Sequence, residues 1–211
     1  MKRIADSTVR RLSIYLGFLE GMERQGNATI SSDELARLGG TTSAQVRKDL
    51  SLFGSFGKRG LGYSVSELSV KLREILGLGR EWRVCIIGAG KIGAALARYR
   101  GFTERGFIVT AAYDIDEAKV GKRWEHLTVR PVSDLEKDAL REKFDIAVLA
   151  TPAETTPAVV KQVVRAGIKA ILNFAPVQIA VPTDVTVRTV NMAMELEGLS
   201  FALTNRGETA S

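Results

Sequence analysis

Hydrophobic positions in the first third of the chain follow a helical spacing that is interrupted by glycines. Apolar side chains recur every three or four positions from Ser7 to Gln25, and a glycine ends the pattern. Two capping-box patterns follow, Ser31 with Glu34 and Thr42 with Gln45, and each begins a helix. A pair of glycines separates these two helices. This arrangement of short helix, glycine turn and capped helix predicts a helix-turn-helix.

A glycine-rich segment with two adjacent cations comes next. It runs from Phe56 to Tyr63 and contains Lys58 and Arg59 among three glycines, so a tight turn can present both cations between aromatic anchors. Such a segment is typical of the wing of a winged helix-turn-helix. A further amphipathic helix is predicted from Ser66 to Leu76, where a glycine stops it.

The pattern changes after residue 81. A short apolar, β-rich run from Trp82 to Ile87 begins a series of strands that alternate with helices to about residue 190. This alternation predicts a parallel sheet with crossover helices, so the fold class is α/β: a winged helix-turn-helix followed by a Rossmann-type doubly wound parallel sheet. The predicted domains are 1–78 and 79–190, followed by a C-terminal segment 191–211 with a helix from Met192 to Leu203.

Composition excludes several classes of protein. The chain has 211 residues, 45% hydrophobic and 26% charged, which suits one large or two small globular domains. No stretch approaches the roughly 18 apolar residues of a membrane span, and no apolar signal core follows the N-terminus. A single cysteine, Cys85, forms no internal disulfide and no structural zinc site by itself. We therefore expect a cytoplasmic protein without metal and without a membrane.

The net charge of +6 is unevenly distributed. Residues 1–80 contain 13 Lys and Arg against 8 Asp and Glu, a net charge of +5, and the remainder carries +1. This asymmetry indicates a polyanionic partner for the N-terminal part, or a solvated basic surface.

Polar residues on the second capped helix suit the major groove of double-stranded DNA. Arg and Lys donate to guanine, Gln pairs with adenine, and Ser contacts phosphate or base. At the wing, Lys58 and Arg59 suit a narrow minor groove or its phosphates. The alternative is a solvated charged helix and a plain hairpin. The candidate DNA-binding residues are Ser43, Gln45, Arg47, Lys48, Lys58 and Arg59.

A dinucleotide motif follows the first predicted strand. The segment Gly88-Ala89-Gly90-Lys91-Ile92-Gly93 is a G-x-G-x-x-G that ends a strand and opens a helix. In this motif the first glycine makes a tight turn, the second admits the pyrophosphate, and the third lets the helix pack on the strand.

A carboxylate ends the second predicted strand, which runs from Ile108 to Tyr113. Asp114, 21 residues beyond the last glycine of the motif, would accept hydrogen bonds from the adenine ribose and repel a 2′-phosphate, so NADH and NAD⁺ are favoured over their phosphorylated forms. Asp116 is a substitute if the strand end is misplaced.

Two further strand ends supply candidate contacts to the nicotinamide half. Thr151 and Asn173 would hydrogen-bond ribose or carboxamide, and Pro152 and Phe174 would form apolar walls. A pocket without a carboxylate partner for the cationic oxidised ring would favour NADH over NAD⁺. Phe174 suits a core position equally well.

No catalytic group is evident. Reduction of a carbonyl needs an acid or base beside the nicotinamide, but His126 lies in a polar stretch that indicates a surface position. Tyr99 lacks the Tyr-x-x-x-Lys spacing of a short-chain dehydrogenase, and Cys85 lies within a buried strand.

Taken together, these motifs resemble the redox-sensing transcriptional repressor family Rex over nearly the whole chain. The stretches that carry the resemblance are 45–51, 53–57, 58–63, 88–93 and 171–176. The resemblance implies a homodimer that binds a palindromic operator and represses genes of NADH oxidation and of fermentative or respiratory metabolism. It also implies that NADH releases the repressor from DNA, whereas NAD⁺ competes weakly and supports the DNA-bound form.

The sequence alone indicates a plain terminal helix on its own Rossmann domain. The resemblance instead implies that this helix is exchanged between protomers and packs between the two domains of the partner. It also implies a state-dependent network of an arginine, a tyrosine and an aspartate. In this sequence the three positions hold Gly17, Tyr99 and Asn191, so only the tyrosine of that switch is retained.

The sequence is therefore compatible with three functions. The first is an NADH-responsive DNA-binding repressor. The second is a small NAD-dependent oxidoreductase with an accessory basic domain, and the third is a ligand-independent DNA-binding protein that retains NAD as a structural cofactor.

Overall fold

The computed structural model describes residues 4–57 and 61–205. The chain divides into two compact units, Met1–Arg80 and Glu81–Ser211. Each is described by itself below.

The N-terminal unit packs helices around one apolar core. The elements, in chain order, are α1 (Asp6–Arg24), β1 (Thr29–Ile30), α2 (Ser32–Leu38), α3 (Ser43–Ser51), β2 (Tyr63–Ser64) and α4 (Val65–Ile75). The longest apolar stripe is that of α1, whose Leu12, Leu16 and Leu19 are fully buried. The α3 face that carries Val46 and Leu50 joins the same core, so the opposite face of α3 is left to solvent.

Both predicted helix caps are confirmed. The hydroxyl of Ser31 accepts a hydrogen bond from the Glu34 backbone N–H at 3.0 Å, and that of Thr42 accepts one from the Gln45 N–H at 3.2 Å. These bonds satisfy donors that a helix start leaves free. The helix-turn-helix predicted from the capping pattern is therefore present as α2 and α3.

The two ends of the predicted wing are held by close backbone contacts. Strands β1 and β2 pair antiparallel, with Ile30 opposite Tyr63. Gly57 has a φ of +75° and Gly62 a φ of +78°, and a Cβ on Gly62 would overlap the Ile30 carbonyl. Only glycine fits such positions. Lys58 and Arg59, the predicted wing cations, lie outside the described residues.

The C-terminal unit is a seven-stranded sheet with helices on both faces. Its elements are β3 (Trp82–Ile87), α5 (Lys91–Ala97), α6 (Arg100–Glu104), β4 (Phe107–Asp114), β5 (Arg123–Trp124), β6 (Leu127–Pro131), α7 (Leu135–Glu142), β7 (Ile146–Leu149), α8 (Thr156–Arg165), β8 (Ala170–Asn173), β9 (Thr186–Thr189) and α9 (Met192–Thr204). The strand order is β5-β6-β4-β3-β7-β8-β9. All pairs are parallel except β5 with β6. The predicted doubly wound parallel sheet is thus confirmed, with an antiparallel edge hairpin added.

The order of strands fixes where a ligand can bind. The chain winds outward from β3 in both directions, first to β4 and later to β7, so the carboxyl ends of β3, β4 and β7 flank a topological switch point. Gly88 and Thr151 lie in the loops that leave the sheet at this edge, and Asp114 is the last residue of β4.

The helix after the glycine turn is shorter than the sequence pattern predicts. The apolar spacing predicts one helix from Ile92 to Tyr99, but α5 ends at Ala97 and Tyr99 is the N-cap of the separate α6. Tyr99 lies edge-on to Phe102, with ring centroids 5.2 Å apart, and Phe102 packs against the sheet. The break after Ala97 therefore accompanies the packing of Phe102 on the sheet.

Helix α9 buries no side chain in the described structure. Its Met192, Met194, Leu196, Leu199, Phe201 and Leu203 are each at least 60% exposed. A helix this apolar is stable in water only when another surface covers it. Across residues 4–57 and 61–205, none of the helices combines the length and the apolar character that crossing a bilayer requires.

Candidate nucleotide and nucleic-acid sites

The glycine-rich turn between β3 and α5 packs so closely against other backbone that two of its positions have no room for a side chain. Gly88 has a φ of +108°, and a Cβ there would overlap the Ala150 carbonyl at the end of β7. A Cβ on the buried Gly93 would overlap the carbonyl of Gly88 itself. Gly90 caps α5, and a Cβ on it would meet open space. The turn is thus closed on the protein side and open where a pyrophosphate would approach.

A cavity of about 560 Å³ opens beside this turn. Most of the residues predicted to bind the cofactor line it, together with residues that the sequence reading did not single out. The lining is Gly88, Gly90, Lys91, Ile92, Asp114, Ile115, Lys119, Ala150, Thr151, Pro152, Phe174 and Pro176. Ala89 does not line the cavity, but its backbone N–H donates a hydrogen bond at 2.7 Å to Asp114, which does.

Asp114 is held rigidly at the end of β4. Its carboxylate accepts hydrogen bonds from the backbone N–H groups of Ala89 and Asp116, at 2.7 and 2.9 Å, and from the Lys119 ammonium at 3.0 Å. Burial alone would raise the pKa of Asp114, but these hydrogen bonds hold it below the ordinary value. The group is therefore a fixed anion. Asp116, the predicted substitute, is exposed and does not line the cavity.

Three of the four residues expected at the nicotinamide half line the cavity. Thr151 is buried and its hydroxyl is 2.8 Å from that of Thr156, which orients it. Pro152 is exposed, and Phe174 both lines the cavity and packs against the sheet. The two readings of Phe174, apolar wall and core aromatic, are therefore compatible.

Asn173 lies elsewhere than the prediction requires. Its side chain is fully buried and does not line the cavity. The amide donates to the carbonyls of Ala175 and Val177, at 3.2 and 3.0 Å, and accepts from the Ala175 N–H at 3.0 Å. Asn173 is thus no direct ligand of ribose or carboxamide. It shapes the loop that places Phe174 and Pro176 at the cavity.

The three residues weighed for catalysis lie outside this cavity. Cys85 is fully buried in β3, and burial raises the pKa of its thiol, so the nucleophilic thiolate is disfavoured. The exposed His126 has its ring nitrogen Nε2 3.3 Å from the Val109 carbonyl. Tyr99 is 60% exposed, and neither it nor His126 lines the cavity.

The N-terminal unit presents the predicted DNA-facing residues on α3. Arg47 and Lys48 are exposed, and Ser43 and Gln45 are partly so. The Arg47 guanidinium donates to the Ser32 hydroxyl at 3.0 Å, and the Gln45 amide donates to Asp49 at 2.8 Å. Gln45 is therefore already oriented by its own helix, with its amide oxygen and one N–H still available for a base.

A buried ion pair, which sequence reasoning missed, ties α3 to α1. Asp49 is 1% exposed and accepts two hydrogen bonds from Arg11, at 2.6 and 2.7 Å, and a third from the Tyr15 hydroxyl at 3.1 Å. Burial by itself would raise the pKa of Asp49, but the bonds from Arg11, Gln45 and Tyr15 lower it. The available signal was the position of Asp49 three residues after Val46, on the core-facing side of α3.

Two positions of the family switch, besides Tyr99, hold residues without charge. Gly17 is an exposed residue of α1. Asn191 caps α9, its side-chain oxygen accepting from the Ala193 N–H at 3.0 Å. Asparagine keeps the cap that an aspartate would supply but not its charge.

Comparison with known proteins assigns the chain to a family. A family model described as "Putative DNA-binding protein N-terminus" matches residues 3–51, and one described as "CoA binding domain" matches residues 79–177. The "Redox-sensing transcriptional repressor Rex" of Carboxydothermus hydrogenoformans is 44% identical over 94% of this chain and 96% of its own. The chain belongs to the Rex family of redox-sensing transcriptional repressors. The Rex of Streptomyces coelicolor is 43% identical over 94% of this chain and 77% of its own.

Solved Rex-family structures share the fold over almost the full chain. The crystal structure of RSP in complex with beta-NADH has a TM-score of 0.90 at 34% identity, covering 99% of this chain and 98% of the other. That of RSP in complex with beta-NAD⁺ and operator DNA has a TM-score of 0.92 at 36% identity, covering 99% and 96%. The two sites of this Rex-family chain lie in separate units: α3 in the first and the cavity in the second.

Proposed function

We propose that this chain represses transcription by binding a palindromic operator as a homodimer, and that NADH in the cavity of the second unit releases it. One observation carries the proposal. A single chain combines a capped recognition helix bearing exposed cations with a dinucleotide cavity closed by a glycine turn and a fixed carboxylate. Solved members of the family hold NADH, or NAD⁺ with operator DNA. We propose a cytoplasmic location, which operator binding supports.

The cavity favours the reduced nicotinamide. Asp114 is the one carboxylate among the described lining residues, and it already accepts hydrogen bonds from two backbone N–H groups and from the Lys119 ammonium. The oxidised ring carries a positive charge that would be desolvated beside Pro152, Phe174 and Pro176 without a counter-ion, whereas the reduced ring is neutral. Tighter binding of NADH than of NAD⁺ gives the selectivity that a redox sensor requires. Release from DNA requires in addition that NADH binds the DNA-free dimer state more tightly than the DNA-bound state.

The same lining argues for a sensor rather than the alternative oxidoreductase. Asp114, Lys91 and Lys119 are the described lining residues with ionisable side chains. Lys91 belongs to the glycine-rich turn and Lys119 pairs with Asp114, so both lie at the phosphate and adenine-ribose end of a dinucleotide. No acid or base in the described part of the cavity faces the nicotinamide. We therefore propose that the chain binds NADH without transferring its hydride.

Purified protein allows the two halves of the proposal to be measured separately. A palindromic duplex selected from a random pool by this chain tests the DNA half, and titration of NADH by its fluorescence tests the other. We expect binding in both experiments. Turnover of NADH with small carbonyl substrates, in place of stable binding, would instead favour the oxidoreductase. Duplex binding that is indifferent to bound NADH would favour the structural cofactor.

Arg47→Ala should weaken operator binding selectively. A guanidinium that donates to guanine contributes about 1 to 3 kcal/mol of discrimination. We expect a loss of this size on the selected palindrome and a much smaller loss on random duplex, measured by fluorescence anisotropy at fixed salt. The control is Lys71→Ala, which removes an exposed cation of α4 outside the helix-turn-helix. An equal loss on both duplexes would reduce Arg47 to a phosphate contact.

Dimerisation would bury the exposed apolar side chains of α9. An apolar groove of about 370 Å³ lies on the sheet of the same unit, with Phe102, Phe107 and Leu172 among its lining residues. We propose that α9 packs on a second copy of the chain, in line with the helix exchange that the family resemblance implies. A homodimer also matches a palindromic operator, whose half-sites lie one helical turn or a multiple apart.

Leu199→Glu combined with Phe201→Glu should convert the dimer to a monomer in sedimentation experiments. Each change places a charge at an exposed apolar position of α9. The control is Leu140→Glu, at an apolar side chain of α7 that is 84% exposed. A dimer that survives the double substitution would place the interface elsewhere.

A further inference from the structure

Lys119 occupies a position that matters for the choice between unphosphorylated and 2′-phosphorylated dinucleotides. Its ammonium is 3.0 Å from Oδ2 of Asp114 and 3.8 Å from Oδ2 of Asp116. It lines the cavity, and its side chain is 41% exposed, so it can also contact a ligand. The sequence pattern that identified Asp114 gives no role to this lysine.

The ion pair with Lys119 reduces the repulsion that the Asp114 carboxylate exerts on a 2′-phosphate. An unpaired Asp114 would repel a 2′-phosphate with its full charge. A cation 3.0 Å away offsets much of that repulsion, because both groups sit in a partly buried site where charges interact strongly. We propose that Lys119 is a specificity-determining residue of the adenine-ribose subsite. It lowers the discrimination against NADPH in the native protein, and it becomes a ligand of the 2′-phosphate when Asp114 is removed.

Asp116 adds a second carboxylate near the Lys119 ammonium. With both aspartates ionised, the group of Asp114, Asp116 and Lys119 carries a net charge of −1. Loss of the lysine makes this −2, and loss of Asp114 makes it 0. Loss of both aspartates makes it +1. The proposal therefore predicts a graded order of NADPH affinities that follows these charges.

Dissociation constants of NADH and NADPH for a set of variants test this order. Lys119→Met keeps the length of the side chain and removes its charge, so it should weaken NADPH relative to NADH by about tenfold. Asp114→Ala should strengthen NADPH relative to NADH by tenfold or more, and Asp114→Ala with Asp116→Ala should do so further. Adding Lys119→Met to Asp114→Ala should remove most of the gain, because the phosphate then has no cation.

Lys122→Met is the matched control. Lys122 is exposed three residues further along and does not line the cavity, so its loss makes the same change in total charge. It should leave the ratio of the two affinities unchanged. Melting curves of all variants check that each is folded.

The proposal rests on the dinucleotide cavity of the proposed function, and the two fail in different ways. If the native chain binds neither nucleotide, both are overturned. If the native chain binds NADH but Lys119→Met weakens NADH and NADPH equally, Lys119 is structural and this proposal alone is overturned. A shift of the ratio by Lys122→Met as large as that by Lys119→Met would also overturn it.

Discussion

Gly93→Ala should abolish the response to NADH while leaving operator binding in place. The new Cβ would overlap the carbonyl of Gly88, which is backbone and has no rotamer in which to avoid it. Either the glycine-rich turn moves or α5 separates from β3, and both change the surface that receives the pyrophosphate. Strain of about 3 kcal/mol, usual for overpacking, corresponds to a loss of NADH affinity of roughly a hundredfold.

The variant should behave as a permanently active repressor, because its recognition helix is in the other unit. Operator affinity measured without nucleotide should match that of the native chain, and added NADH should no longer lower it. Gly21→Ala is the control, since a Cβ on this glycine of α1 meets open space. Native NADH affinity in Gly93→Ala would show that the third glycine has no role in the site.

Arg11→Ala should strongly destabilise the N-terminal unit. It leaves the Asp49 carboxylate, 1% exposed, without its charged partner and with two hydrogen bonds fewer. Removing one member of a buried ion pair costs about 3 to 5 kcal/mol. Operator binding should fall with it, because Asp49 joins α3 to α1 and orients Gln45. Urea unfolding of the full chain at neutral pH measures the loss.

The pH dependence distinguishes this ion pair from general damage. Because the folded-state pKa of Asp49 is lowered, its contribution is present above the ordinary aspartate pKa of about 4 and is lost as the pH falls through the folded value. The native chain and Arg11→Ala should therefore converge in stability at acid pH. The neighbouring Arg10→Ala, on the exposed side of the same helix, is the control. Equal destabilisation by Arg10→Ala at neutral pH would contradict the assignment.

Sequence reasoning succeeded where one short segment contains the physical cause. The hydroxyl of Thr42 and the N–H of Gln45 are three residues apart, so the cap of α3 can be read locally. The glycine-rich turn is similar, because Gly88 and Gly93 contact each other directly. Asp114 follows from the length of one strand-helix-strand unit. These segments suffice to predict the helix-turn-helix and most of the residues that line one end of the cavity.

Sequence reasoning failed where the partners of a side chain depend on how an irregular loop folds or on a residue far along the chain. Asn173 has the chemistry of a ribose ligand, but its bonds to Ala175 and Val177 depend on how the following loop folds. The pairing of Asp49 with Arg11, 38 residues apart, leaves no periodic signal. Lys119 was missed for another reason: lysine is common on surfaces, and only its 3.0 Å approach to Asp114 distinguishes it.

The coupling between the two sites is tested most directly in a single sample. Nucleotide fluorescence reports occupancy of the cavity, and anisotropy of a labelled palindromic duplex, selected by this chain, reports DNA binding. We predict that duplex affinity falls at least roughly tenfold as NADH saturates the protein, and that saturating NAD⁺ leaves it unchanged. Full NADH occupancy with undiminished duplex affinity would contradict the redox-sensing account.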